Sequence, residues 1–186
     1  MRKHIHVSTD PEFNSFLTEF QEETSRAAAV LARAYLDEKV KQLLLASAVD
    51  GTKKCTSLVD GFESPLGSFA ARIKAAFSFG LITEEERFDL DQIRDIGNAF
   101  AHKLHGLRFD DASIMGKCLS LKCVDEARAR AKVALKSYPS TPRERFDLGT
   151  ALLATYLNRR IANATRVNRA LPPLWLPGSA SSKSTA

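Results

Sequence analysis

Residues 91–102 read Asp91-Gln92-Ile93-Arg94-Asp95-Ile96-Gly97-Asn98-Ala99-Phe100-Ala101-His102. Ile93, Ile96 and Phe100 recur at the three- and four-residue steps of a helix with one buried face. Arg94, Asn98 and His102 stand four residues apart, so they share a helical face as well. An arginine, an amide and an imidazole in such a row form either a structural polar network or a site for chemistry. Gly97 costs this helix roughly 1 kcal/mol relative to Ala. A close approach of a second helix at that position would explain the glycine.

Outward from this stretch, the helical signals continue. Thr83 with Glu86 is a capping box, and the acidic run Glu84 to Glu86 suits a helix N-terminus. Gly80 stands where a left-handed C-cap falls, followed by apolar Leu81 and Ile82. Before it, Ser64-Pro65 is a start signal for a helix with Leu66, Phe69, Ala70, Ile73, Ala76 and Phe77 as its stripe. Pro11 opens a first helix with Phe13, Phe16, Leu17 and Phe20 on one face. Thr24 or Ser25 caps a longer second one, with Ala27, Val30, Leu31, Ala34, Tyr35, Val40, Leu43 and Leu44 as its stripe. Asp50-Gly51 ends it and opens a polar loop.

Beyond Gly106, Asp110 or Asp111 caps a short helix with Ile114, Cys118 and Leu121. Residues 124–136 look helical and weakly apolar. Pro139 and Pro142 bracket a turn. A last long helix carries Phe146, Leu152, Leu153, Tyr156, Leu157 and Ile161. Strand signals are nearly absent and no repeat is visible. The expectation is an all-α, single-domain bundle of about six to seven helices. It spans residues 11–170, with a flexible 1–10 before it and a disordered Pro- and Ser-rich tail, 171–186, after it. Trp175 in that tail either packs back on the domain or meets a partner.

The 186 residues are 44% hydrophobic, enough for one core. No apolar run reaches the roughly twenty residues needed to span a bilayer, and Met1 to His6 lack the apolar core of a signal peptide. Cys55, Cys118 and Cys123 form no CxxC pair and read as reduced thiols of a cytoplasmic protein. Cys55, in the polar loop, is the expected reactive one. His4 and His6 make a poor metal site, so neither metal nor cofactor is expected. The net charge of +5 is uneven: residues 124–186 hold 11 Lys and Arg against 4 Asp and Glu. Arg159, Arg160, Arg166 and Arg169 mark a polar side of the last helix that could attract nucleic acid or an acidic protein surface.

The chain resembles the mannitol operon repressor (MltR or MtlR) family. The resemblance is carried by the following segments, in order and at matching gaps over about residues 13–165. They are Glu22-Glu23-Thr24-Ser25-Arg26-Ala27-Ala28-Ala29, Ala34-Tyr35-Leu36-Asp37-Glu38, Ser64-Pro65-Leu66-Gly67-Ser68-Phe69-Ala70-Ala71-Arg72-Ile73, Phe79-Gly80-Leu81-Ile82, Ile93 to His102, and Phe109-Asp110-Asp111. It implies an all-helical bacterial cytoplasmic protein, a repressor of a sugar-alcohol operon, acting indirectly through other proteins. No helix-turn-helix with a polar recognition helix is visible here. The family pattern has arginine where this chain has Gly97. The fuller pattern also resembles the Arg-x4-His motif of HEPN domains, which include metal-independent RNases.

Two sets of residues follow. We read Arg26, Asp37, Arg72, Arg94, Asn98 and His102 as a structural polar network, with Asp37 or Asp95 pairing with Arg26, Arg72 or Arg94, because buried charges are costly unless paired. The alternative is an RNase site of Arg94, Asn98 and His102, which Gly97 weakens by removing the family's arginine. Ser64 to Ser68 read as a tight turn in which Gly67 permits close packing; no Gly-Lys-Ser/Thr phosphate loop is present. The expectation is a regulator, not an enzyme, forming a homodimer and binding a protein partner in a transcriptional or sugar-transport complex. Nucleic acid is a further possible partner; a membrane is not expected.

Overall fold

The computed structural model describes residues 11–48, 55–61, 63–103, 106–130 and 139–164. The expectations placed on His4, His6, Arg166, Arg169, Trp175 and both termini lie outside these residues. The described residues form helices α1 (Pro11–Glu22), α2 (Ser25–Ser47), α3 (Thr56–Val59), α4 (Phe69–Ser78), α5 (Glu84–His102), α6 (Ala112–Leu119), α7 (Lys122–Arg130) and α8 (Pro142–Ala164), with no strand among them. Seven are substantial and α3 is a single turn, so the all-α reading holds.

Local chemistry sets most of the boundaries. The Thr24 hydroxyl accepts from the Ala27 amide at 3.3 Å and starts α2. Thr83 and Glu86 close the capping box reciprocally, at 3.2 and 2.8 Å, and start α5. Gly80, at φ +67°, ends α4 in a Schellman motif: its amide bonds the Phe77 carbonyl, and that of Leu81 bonds Ala76. One start is displaced. Helix α4 begins at Phe69, capped by Ser68, not at Ser64-Pro65. Ser64 to Gly67 form a turn instead, closed by the Gly67 amide on the Ser64 carbonyl. Pro65 sits at its second position, where a fixed φ suits a turn as well as a helix start. The loop expected after α2 also holds the turn α3.

Helices α2 and α5 run antiparallel at the centre. Arg26, early in α2, reaches the Phe100 and Lys103 carbonyls at the end of α5, and Gly97 lies against Ala29 and Arg33. Helix α8 lies along α2 in the same direction. Arg143 at its start donates to the Phe20 and Glu23 carbonyls, and Arg160 near its end pairs with Glu86 at the start of α5. A file of rings links the layers: Phe20 to Phe146 at 6.1 Å, Phe146 to Phe109 at 5.0 Å and Phe109 to Phe100 at 5.0 Å between centroids.

The buried face of α2 differs from the expected stripe. Ala28, Ala29, Ala32 and Leu36 are enclosed, whereas Val30 and Ala34 are exposed. This helix is apolar on several sides, so periodicity alone left its orientation open. Size decides it: three alanines let α5 come close, and Gly97 completes the approach. A Cβ on Gly97 would stand 2.6 Å from Arg33 Cβ and 3.0 Å from the Ala29 carbonyl oxygen. We therefore expect Gly97→Ala to lower stability by about 1–2 kcal/mol, because overpacking outweighs the gain of roughly 1 kcal/mol in helix propensity. A urea midpoint at or above the wild-type value would contradict this contact.

Candidate functional site

Helix α5 presents Arg94, Asn98 and His102 as a row, but the row is not one cluster. Arg94 to His102 is eight residues, about 12 Å along the axis. Arg94 is half-buried, with one guanidinium nitrogen 2.9 Å from Asp91 and another 2.9 Å from Asp95. Lys117 of α6 meets the second oxygen of Asp95 at 3.0 Å. Burial pushes the Asp95 carboxyl up, but the hydrogen bonds from Arg94 and Lys117 outweigh it and hold the group below the usual carboxylate range. Asn98 is half-buried and His102 is exposed in the last turn.

The six residues read as one network thus occupy separate places. Arg72 pairs with Asp37 at 2.6 Å. The same guanidinium donates to the Val59 and Leu66 carbonyls, both at 2.8 Å, and so ties α3 and the following turn to α2. Arg26 closes the end of α5. Arg94 belongs to a patch of carboxylates on α5, and His102 stands apart. The contacts of these six residues fall into three local ties, at Arg72, Arg26 and Arg94, in different parts of the bundle.

A shared role emerges among the arginines. The last carbonyls of a helix have no partner within it, and a guanidinium offers five donors in a rigid fork. Arg26 serves the end of α5, Arg143 that of α1 and Arg72 that of α3. Arg145, only 6% exposed, serves α6 through the Cys118, Leu119 and Leu121 carbonyls. These charges are spent on the fold.

On the outer side of α7 and α8 several arginines reach the surface. Arg159 and Arg128 are exposed, and Arg130 is 79% exposed with a 3.4 Å contact to Glu126. Arg160 is different: Glu86 grips it with two oxygens, at 3.0 and 2.9 Å. The basic set read on α8 is thus split between a structural tie, Arg160, and a surface charge, Arg159. Arg128 and Arg130 were overlooked in the sequence, although the alternation Ala127-Arg128-Ala129-Arg130 marks them. Among the described residues no group of three or more His, Cys, Asp or Glu is disposed to hold a metal. No helix among them is long and apolar enough to cross a membrane.

No family model matches the chain, and no curated protein matches it. Among solved structures it is similar to a chain in the X-ray structure of the MtlR–HPr complex from Escherichia coli, with a TM-score of 0.56 and 20% identity. The fold is MtlR-like. The alignment covers 84% of this chain and 99% of that one, so the whole of the compared fold is represented here. The likeness is one of fold.

Proposed function

We propose that this protein is a regulator of the mannitol-repressor kind that acts by binding a protein partner, with HPr or its counterpart in the same host as that partner. The supporting observation is the fold likeness, extending over nearly the full length of a chain crystallised in a complex with HPr. On this reading it controls a sugar-alcohol operon through that partner and performs no catalysis. The polar row on α5 supports a non-catalytic role. Arg94 is neutralised by two carboxylates, and His102 lies a further two helical turns along, too far to act with it on one phosphate.

A second reading, direct binding to nucleic acid, has its own observation: Arg128, Arg130 and Arg159 are exposed on α7 and α8. The two are separated by one set of titrations. The full-length protein is mixed with the host's HPr counterpart and, separately, with mixed-sequence duplex DNA and with RNA, by calorimetry and light scattering. A defined protein complex, with weak nucleic-acid binding that collapses with salt as counterion release requires, is the expected result. No complex with the HPr counterpart at high micromolar concentration would sink the proposal. Salt-sensitive DNA or RNA binding reduced by Arg128→Glu and Arg159→Glu would then favour the second reading.

A further inference from the structure

An apolar groove of about 230 Å³ opens at one end of the bundle. It lies between the end of α2 (Leu44, Leu45), α3 with its leading Cys55, and the turn after α4 (Phe79, Leu81). Among the described residues no charged side chain lines it. Phe79 and Leu58, on its rim, are 67% and 46% exposed. The hydroxyl oxygen of Ser47, also in its lining, is enclosed and has no hydrogen-bond partner among the described residues. Its apolar lining and exposed apolar rim offer a surface on which an apolar segment can dock.

The course of α8 points to an occupant. Its end arrives at the same end of the bundle: Arg160 and the Thr83 amide share Glu86 Oε2, at 2.9 and 2.8 Å. Thr83 is two residues from Leu81 of the groove. From Ala164, six residues lead to Leu171, a reach of about 20 Å if extended. There the chain reads Leu171-Pro172-Pro173-Leu174-Trp175-Leu176-Pro177, four large apolar residues and no charge. The prolines narrow the freedom of the unfolded chain, so ordering this segment costs less. The indole gives the segment one large flat apolar face to bury. Tethering favours the chain's own groove over that of a second copy through effective concentration.

We propose that residues 171–176 form a strap that docks through Trp175 in the groove of the same chain. The proposal is independent of the partner assigned above. Trp175 is the chain's one tryptophan, so the emission of the intact protein reports on it alone. The expected emission is blue-shifted, shielded from acrylamide and independent of protein concentration. Leu58→Asp or Phe79→Asp, at exposed rim positions, should move it to the red with helix content unchanged. Solvent-like emission in the wild type, or blue emission indifferent to both substitutions, overturns the proposal. So does shielding lost on dilution, which would place the strap on a second copy.

If the rim variants fail to fold, Cys55 gives an independent reading. Trp175→Ala in the full chain should let the Cys55 thiol react several-fold faster with a disulfide reagent, and an unchanged rate overturns the strap. The other thiols do not interfere, because both are buried. Burial pushes Cys118 up to about 12, and burial together with the Asp89 charge pushes Cys123 well above the ordinary range.

Discussion

Asp89→Ala is expected to destabilise the protein by about 3 kcal/mol, moving the urea midpoint down by about 1–2 M. Asp89 is fully buried on α5. One carboxylate oxygen accepts from the Lys122 amide at 2.8 Å and the other from the Cys123 amide at 2.7 Å. These are the first two residues of α7, whose opening amides have no partner within the helix. A negative charge at a helix N-terminus is favourable, and hydrogen bonds to a charged acceptor are each worth about 1.5–3 kcal/mol. Removing the side chain strands the buried Cys123 amide and takes the part-buried Lys122 amide's acceptor as well. Asp89→Asn separates charge from shape: it keeps one acceptor and turns an amide N–H toward a backbone N–H. Its midpoint should fall between those of wild type and the alanine variant. An asparagine variant as stable as wild type would show that the carboxylate is not what holds α7.

Asp89 also shows what the sequence could and could not disclose. The caps at Thr24 and Thr83 and the Schellman turn at Gly80 were legible, because each is made by residues three to five apart. The close contact at Gly97 was legible as a cost needing a reason. The long-range partners were not. A charged residue suggests an oppositely charged one, so Asp37 with Arg72 could be proposed from the sequence. Asp89, Arg143 and Arg145 instead bind backbone amides and carbonyls 24 to 123 positions away, and those groups carry no residue identity. The same limit affected the candidate site. Three polar residues at four-residue steps look like one constellation on paper, but carboxylates at Asp91 and Asp95 claim Arg94 first. Arg160 looked like surface charge because its partner, Glu86, already had a visible role in the capping box.

Arg145→Ala is expected to cost more, about 3–5 kcal/mol, because it breaks a buried charge out of a set of otherwise orphaned acceptors. The guanidinium donates to the carbonyls of Cys118 at 3.2 Å and of Leu119 and Leu121 at 3.1 Å each. A further nitrogen meets Asp125 at 3.1 Å; that carboxylate is 60% exposed and contributes the least. Arg145→Lys keeps the charge but has no planar fork to span three carbonyls, so it should recover only part of the loss. Full recovery by lysine would mean that charge alone matters here.

The geometry also predicts how this variant combines with the first. Residues 118–123 form the corner between α6 and α7, with acceptors held by Arg145 from α8 and donors by Asp89 from α5. One corner is gripped from two sides by opposite charges, so releasing either grip leaves less for the other to hold. Asp89→Ala and Arg145→Ala together should therefore cost less than the sum of the two singles, with a coupling of about 1 kcal/mol or more. Strict additivity in the denaturation cycle would mean that the two grips hold separate elements and that the corner is not a cooperative unit.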